Sequence, residues 1–328
     1  MEKILITGAT GQIGSELVLY LRDLYGNDKV VAAGHRSAPC DGVKDSGPYI
    51  TLDVRDRSAI EKAVAEQGTD TIFHLAAMLS ALAEEHPRRA WEVNMDGLLN
   101  VLEVAREKNC AVFFPSSIGA FGPSAPAEGT PQDTIQRPQT VYGITKVSGE
   151  LLCDYYFRRY GVDTRGLRYP GLISYETLPG GGTTDYAVEI FYAALTEGSY
   201  SCFLGQETRL DMMYMPDAVR AAAELMEADL GSLEHRNAFN ITAMSVGPED
   251  LAEEIRKSMP DFSLEYSVDP LRQSIADGWP RHVDDSAARR EWGWKPHFDL
   301  TAMVSDMLTN LSTRLWKDGY GLGDDLEL

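Results

Sequence analysis

From the first residues to about position 170, short apolar and β-branched runs alternate with longer stretches of helical periodicity. The runs at 3–7, 30–33, 49–52, 71–75, 111–114 and 164–168 have the length and composition of strands. Helical patterns start at Gln12 and Asp56, after Pro87, and at about Thr140, the last reaching Tyr160. Strand and helix taken in turn build a parallel sheet with helices over both faces, because parallel neighbours need a crossover and the crossover helices hide the faces. Ligands in such sheets lie beyond the carboxyl ends of the strands. Residues with chemistry to do are therefore sought just after strands.

Beyond Pro170 the rhythm loosens. The expected division is a dinucleotide-binding unit over residues 1–170, with returns to its sheet near 212–242, and a smaller C-terminal substrate-binding lobe over 171–211 and 243–312. Residues 313–328, with Asp324, Asp325 and Glu327, read as an acidic tail. A chain of 328 residues that is 44% hydrophobic can bury a sizeable core. Its formal net charge of −20 argues against nucleic acid and anionic membranes as partners. No basic leader and no apolar run near membrane-spanning length is seen, so a cytoplasmic location is expected by default. Cys40, Cys110, Cys153 and Cys202 form neither a CxxC pair nor a disulfide framework and read as free thiols, mostly core filling. The histidines show no HxxxH or HExxH spacing, so no metal site is expected.

The first strand ends in Gly8-Ala9-Thr10-Gly11-Gln12-Ile13-Gly14 and a helix follows at once. Glycines there allow a tight turn and close backbone approach, and the helix N-terminus offers free N–H groups and partial positive charge to a pyrophosphate. A plain strand-to-helix turn needs one glycine rather than three. The spacing is GxxGxxG, not the general GxGxxG, and it resembles the extended branch of the short-chain dehydrogenase/reductase superfamily. The resemblance implies a Rossmann-type doubly wound parallel sheet and a nicotinamide cofactor. In such a sheet the second strand closes on an acid that accepts from the adenosine ribose of NAD. Here that position is Gly34, followed by His35 and Arg36. NAD is the expected cofactor, with NADP left open because Gly34 replaces the acid and Arg36 could meet a phosphate.

Asp53 closes the third strand, where the resemblance places a contact to the adenine amino group; capping the next helix is the alternative. Leu75, Ala76 and Ala77 follow the fourth strand with room for the cofactor against the backbone, and Val54 and Tyr169 complete the expected cofactor set with Gly8, Gly11, Gln12, Ile13 and Gly14. Asn94 is a poor mid-helix residue that either faces solvent or, by similarity to the VNxxG segment of the superfamily, supports the active site.

After the fifth strand come Ser116 and Ser117, and further on Tyr142-Gly143-Ile144-Thr145-Lys146. A tyrosine and a lysine four apart share a helix face, about 6 Å apart along the axis. YxxxK alone is common on exposed amphipathic helices; after a glycine fingerprint and behind a serine it reads as a catalytic set. A free phenol has a pKa of about 10 and becomes a base when a cation favours its phenolate. Tyr142 is thus the expected base, Ser117 the donor to the reacting oxygen, and Lys146 the cation that also holds the nicotinamide ribose.

The stretches Leu167 to Ser174, Pro179 to Ala187, Met212 to Ala218 and Ile275 to Pro280 resemble the short-chain-type L-threonine 3-dehydrogenases, as do Gln12 to Leu17 and Trp292-Gly293-Trp294. That resemblance implies oxidation of the 3-hydroxyl of L-threonine to 2-amino-3-oxobutanoate, in a homodimer built through the helices near 87–108 and 140–160. Residues 180–184 offer backbone N–H groups and two hydroxyls, suited to a small zwitterion, unless they are simply a flexible surface loop. Leu79, Ser80, Ser116, Thr183, Thr184 and Trp279 are the substrate-side candidates, Trp279 being equally explicable as core. Phe121 stands where many superfamily members carry tyrosine. A nucleotide-sugar epimerase or dehydratase, using the same Tyr142 and Lys146, is the alternative reading, and a cofactor-sensing protein a third, though such a protein would normally have lost the catalytic set.

Overall fold

The computed structural model of the chain describes residues 1–177, 180 and 182–317. Pro179 and Gly181 of the expected substrate loop and the acidic residues Asp324, Asp325 and Glu327 lie outside the described residues.

The strands run β1 (Ile4–Thr7), β2 (Val30–Gly34), β3 (Tyr49–Thr51), β4 (Thr71–His74), β5 (Ala111–Ser117) and β6 (Thr164–Tyr169). The later ones are β7 (Gly171–Ile173), β8 (Ser199–Cys202), β9 (Leu210–Tyr214), β10 (Phe239–Asn240), β11 (Met244–Val246) and β12 (Ser263–Tyr266). Among the described residues, one seven-stranded sheet has the order β10-β6-β5-β4-β1-β2-β3 and is parallel throughout. The chain is an α/β protein with a Rossmann-type, doubly wound sheet. Its winding reverses between β1 and β4, which leaves a crevice beyond their carboxyl ends.

Every residue of β1, β2 and β4 is buried, as strands covered on both faces must be. Their alternate side chains feed two cores. Ile6, Ala32, Phe73 and Phe113 pack beneath the paired helices Gln12–Tyr25 and Met215–Glu227. Leu5, Val31, Ile72 and Val112 pack beneath Arg57–Gln67, Gly97–Lys108 and Val141–Tyr160. Each such aliphatic side chain contributes about 1.5–3 kcal/mol of burial. A third core, with Tyr186, Phe191, Met212, Tyr214, Leu251 and Met307, holds the three-stranded sheet β11-β9-β7 and the pair β12-β8 together with helices Tyr186–Glu197, Pro248–Ser258 and Leu300–Lys317.

Two expectations change. The helical stretch after Pro87 is not one α-helix: Pro87–Trp91 passes into a π-helical turn, Glu92–Asp96, before Gly97–Lys108. Nor does the tail start at 313, because Leu311 and Leu315 extend the buried stripe of Leu300–Lys317 at helical spacing. Arg314 on that helix donates from Nη1 to the carbonyls of Tyr175 (2.8 Å) and Glu176 (2.6 Å). No helix among the described residues is long and apolar enough to cross a membrane, and all four cysteines are unpaired.

Candidate active site

The turn after β1 folds as its glycines dictate. Gly8 has φ +72°, and a Cβ there would lie 2.6 Å from the amide nitrogen of Ala76; one on Gly14 would lie 2.2 Å from the Gly8 carbonyl oxygen. Those two glycines let β1, the Leu75–Ala77 segment and the helix pack in contact. Gly11 differs, since a Cβ there would meet nothing nearer than the Gly8 oxygen at 3.4 Å. It presents bare backbone to the crevice. Helix Gln12–Tyr25 starts on Gly11 with no side-chain cap, so its first N–H groups remain open to an anion. These residues fit a dinucleotide pyrophosphate.

The crevice divides into two connected parts. One is lined by Gly8, Thr10, Gly11, His35, Arg36, Asp53, Val54, Ala76 and Arg89. Asp53 is not the helix cap: Asp56 is, accepting from Ser58 N and Ala59 N. The Asp53 carboxylate is instead held by Arg55, with Nη2 to Oδ2 at 2.6 Å, and this guanidinium pulls its pKa down to about 2. His35 Nε2 approaches the same carboxylate at 3.6 Å. Arg36 and Arg89 form no ion pair among the described residues.

The second part is a cleft of about 220 Å³ reached by Gln12, Ile13, Leu75, Ala77, Leu79 and Ser80 from one side and by Ser117, Tyr142 and Lys146 from another. Ser117 ends β5, and its Oγ accepts from Gly119 N at 3.1 Å beside the Tyr142 phenol, whose ionised form it favours. Tyr142, Lys146 and Glu150 recur every fourth residue on helix Val141–Tyr160, whose first turn is capped by Thr140. Lys146 Nζ donates to the Pro115 carbonyl at 2.5 Å. Burial pushes the Tyr142 phenol up to about 12 and the Lys146 ammonium down to about 8, with Glu150 working against the latter shift.

Asn94 faces inward from the π turn. Its Oδ1 accepts from Met78 N (2.7 Å), and its Nδ2 donates to Met78 O (3.2 Å) and to Thr145 Oγ1 (3.1 Å) on the Tyr142 helix. It therefore ties the segment carrying Leu79 to the helix carrying Tyr142. Ser116 also lines the cleft, with its hydroxyl proton committed elsewhere. Its hydroxyl donates to buried Glu150, which is paired with Arg168 at 2.9 Å. Tyr169 lines the cleft, but its hydroxyl turns to the Ala218 carbonyl at 2.8 Å.

Gly171 and Leu172 of β7 line the cleft as well, with Gly182, Thr183, Thr184 and Asp185. Thr183 is buried, and Thr184 Cγ2 fills the space beside Gly171. Trp279 serves both readings of it, lining the cleft and packing on Ile118, Phe121 and Val283. Phe121 is fully buried under the Arg168 guanidinium, 4.9 Å from its ring centroid. Asp185, Leu172 and Arg89 were not expected at the site; Asp185 and Leu172 stand in stretches quoted for the resemblance, whereas nothing local marks Arg89.

The family model for the NAD dependent epimerase/dehydratase family matches residues 4–242. The chain belongs to that family. An uncharacterized epimerase/dehydratase of Staphylococcus saprophyticus is 55% identical over 308 residues, 94% of this chain and 96% of that protein. The crystal structure of L-threonine dehydrogenase from Clostridium difficile is 55% identical, superposes with a TM-score of 0.95, and is matched over 98% of this chain and 99% of its own. A monomeric L-threonine 3-dehydrogenase from a metagenome is 48% identical, with a TM-score of 0.90 over 95% of this chain and 99% of its own. With this family and these neighbours, the chain is an NAD(P)-dependent dehydrogenase.

Proposed function

We propose that the chain oxidises the 3-hydroxyl of L-threonine to 2-amino-3-oxobutanoate, with NAD preferred over NADP only modestly. The observation that carries the reading is the make-up of the cleft. Lys146 is the one basic side chain among its described lining residues, and it lies on the cofactor side, so nothing there balances the diphosphate of a nucleotide sugar. The wall opposite Tyr142 instead offers small hydroxyls and backbone, from Gly182, Thr183 and Thr184. The naming of solved neighbours as L-threonine dehydrogenases supports the same substrate.

In this reading Tyr142 takes the proton of the substrate hydroxyl and Ser117 donates a hydrogen bond to the oxygen that becomes a carbonyl. Lys146 supplies positive charge beneath the phenol and a donor for the nicotinamide ribose. Bound cofactor supplies the hydride acceptor. Thr183, Thr184, Leu79, Ser80 and Trp279 enclose the amino acid, and residues 171–211 with 243–312 act as the substrate-binding lobe. The product is a β-keto acid, which can lose carbon dioxide without help from the protein. Four unpaired thiols suit a reducing cytoplasm.

The test is to incubate purified protein with L-threonine and NAD or NADP and follow the absorbance of the reduced cofactor, beside parallel incubations with UDP-glucose and UDP-galactose. Reduction with L-threonine alone is expected. Interconversion of the UDP-sugars without threonine oxidation would establish the epimerase instead.

A further inference from the structure

β2 closes on Gly34, and the space an acid would need there is already taken. A Cβ on Gly34 would lie 2.3 Å from the Tyr49 hydroxyl oxygen and 2.8 Å from Thr10 Cγ2. Tyr49 comes from the neighbouring strand β3, where it is paired with Ala32, so its ring reaches along the sheet to the end of β2. Thr10 and His35, which flank this point, line the adenosine side of the crevice. Tyr49 is half-buried, and its hydroxyl makes no hydrogen bond to any described residue. The phenol therefore stands in the place of the missing carboxylate with its hydrogen-bonding capacity unspent.

The charges nearby fit the same picture. A carboxylate only accepts, and repels a phosphate; a phenol both donates and accepts and carries no charge. Arg36 and Arg89 line the groove without an ion-pair partner among the described residues, whereas Arg55 is committed to Asp53.

We propose that Tyr49 determines cofactor choice: its hydroxyl meets the 2′ position of the adenosine ribose in place of an acid, and, with Arg36 as countercharge, the site takes a 2′-phosphate as well as a 2′-hydroxyl. This rests on the reading of the groove as the adenosine end of a nicotinamide dinucleotide site. It also makes positions 34 and 49 a coupled pair, since an aspartate at 34 would displace the phenol of Tyr49.

Binding of NADH and NADPH to the protein without substrate, followed by the fluorescence of the reduced nicotinamide, tests the idea independently of turnover. The unaltered protein should bind both, with dissociation constants within about tenfold of each other. Tyr49→Phe, which keeps the ring, should weaken both by about three- to tenfold through loss of one hydrogen bond. Gly34→Asp alone should weaken both because its Cβ meets the phenol. Gly34→Asp combined with Tyr49→Ala should bind NADH well and NADPH at least about a hundredfold more weakly. Unchanged constants in Tyr49→Phe, or a Gly34→Asp protein that binds NADH as tightly as the parent, would overturn the role of Tyr49 while leaving the groove a cofactor site. A parent that rejects NADPH a hundredfold or more would do the same. A parent that binds neither nucleotide would overturn the reading of the groove and the proposal with it.

Discussion

Lys146 holds its ammonium 5.4 Å from the centroid of the Tyr142 ring while donating to the Pro115 carbonyl behind it. Without charge from the cofactor, burial sets the two groups against each other: the phenol rises to about 12 and the ammonium falls to about 8. Oxidation of an alcohol needs the phenol to receive a proton, so kcat/KM should climb as pH rises from 6 to 9. Removing the cation disfavours the phenolate. Lys146→Met should therefore move the rising limb up by about one pH unit or more and lower the rate at pH 7.5 at least about tenfold. Initial rates over that range check it, and a limb that stays in place would show that the ammonium does not act on the phenol.

Tyr142→Phe should lower kcat/KM by about 10²- to 10⁴-fold while leaving the affinity for NADH within about threefold of the parent, because only the proton acceptor is lost. Steady-state rates and a fluorescence titration on the same preparation check both halves. A variant that retains most of its activity would mean that another residue is the base.

Helix Val141–Tyr160 exposes Ile144 (42%), Leu151 (64%) and Tyr155 (50%) along one face, and the helices before it expose Trp91 and Leu99. We infer that this stripe is covered by a second copy in a homodimer. Light scattering at micromolar concentration should give twice the chain mass, and Leu151→Glu should shift it to the monomer. Since a solved relative is described as monomeric, a monomeric parent is a concrete contrary outcome.

Buried His74 and partly buried Glu16 make stability depend on pH in opposite senses. His74, with Nδ1 2.9 Å from Thr7 Oγ1, has its pKa pushed down to about 3 by burial, with the charge of Lys146 adding to the effect. Below its usual 6.5 the unfolded chain binds a proton that the folded chain refuses, so stability falls as pH drops from 6.5 towards 3. Glu16 is pushed up to about 7, chiefly by burial, though a hydrogen bond from Ser174 opposes it. Its folded form keeps a proton the unfolded chain has released, so its contribution is lost as pH rises from 4.5 to 7. Each slope is about 1.4 kcal/mol per pH unit. Between pH 4.5 and 6.5 they offset one another. His74→Gln should gain stability as pH falls through that window and Glu16→Gln should lose it, read as urea midpoints relative to the parent at each pH.

The parallel sheet, the phosphate-facing turn and the Ser117, Tyr142 and Lys146 set were legible because each rests on local signals: period-2 and helical patterns, glycine spacing, and a four-residue repeat on one helix. What stayed hidden depends on where side chains point across the fold. Ser116 and Ser117 are adjacent in sequence, yet β geometry sends one to Glu150 and leaves the other at Tyr142. Asn94 looked out of place in a helix because it sits in a π turn and bonds Met78 and Thr145, partners far from it along the chain. Capping was an open role for Asp53 in the sequence, and the backbone gives it to Asp56 instead. The meeting of Tyr49 with Gly34 follows from strand register alone, which no periodicity reveals.

That meeting also bears on how such a chain can change. An acid introduced at position 34 arrives against the Tyr49 hydroxyl oxygen, 2.3 Å from its first side-chain carbon, so the tip of that phenol has to swing aside to admit it and leaves the 2′ position as it does so. The two residues therefore compete for one place beside the ribose, and either can hold it only when the other gives way.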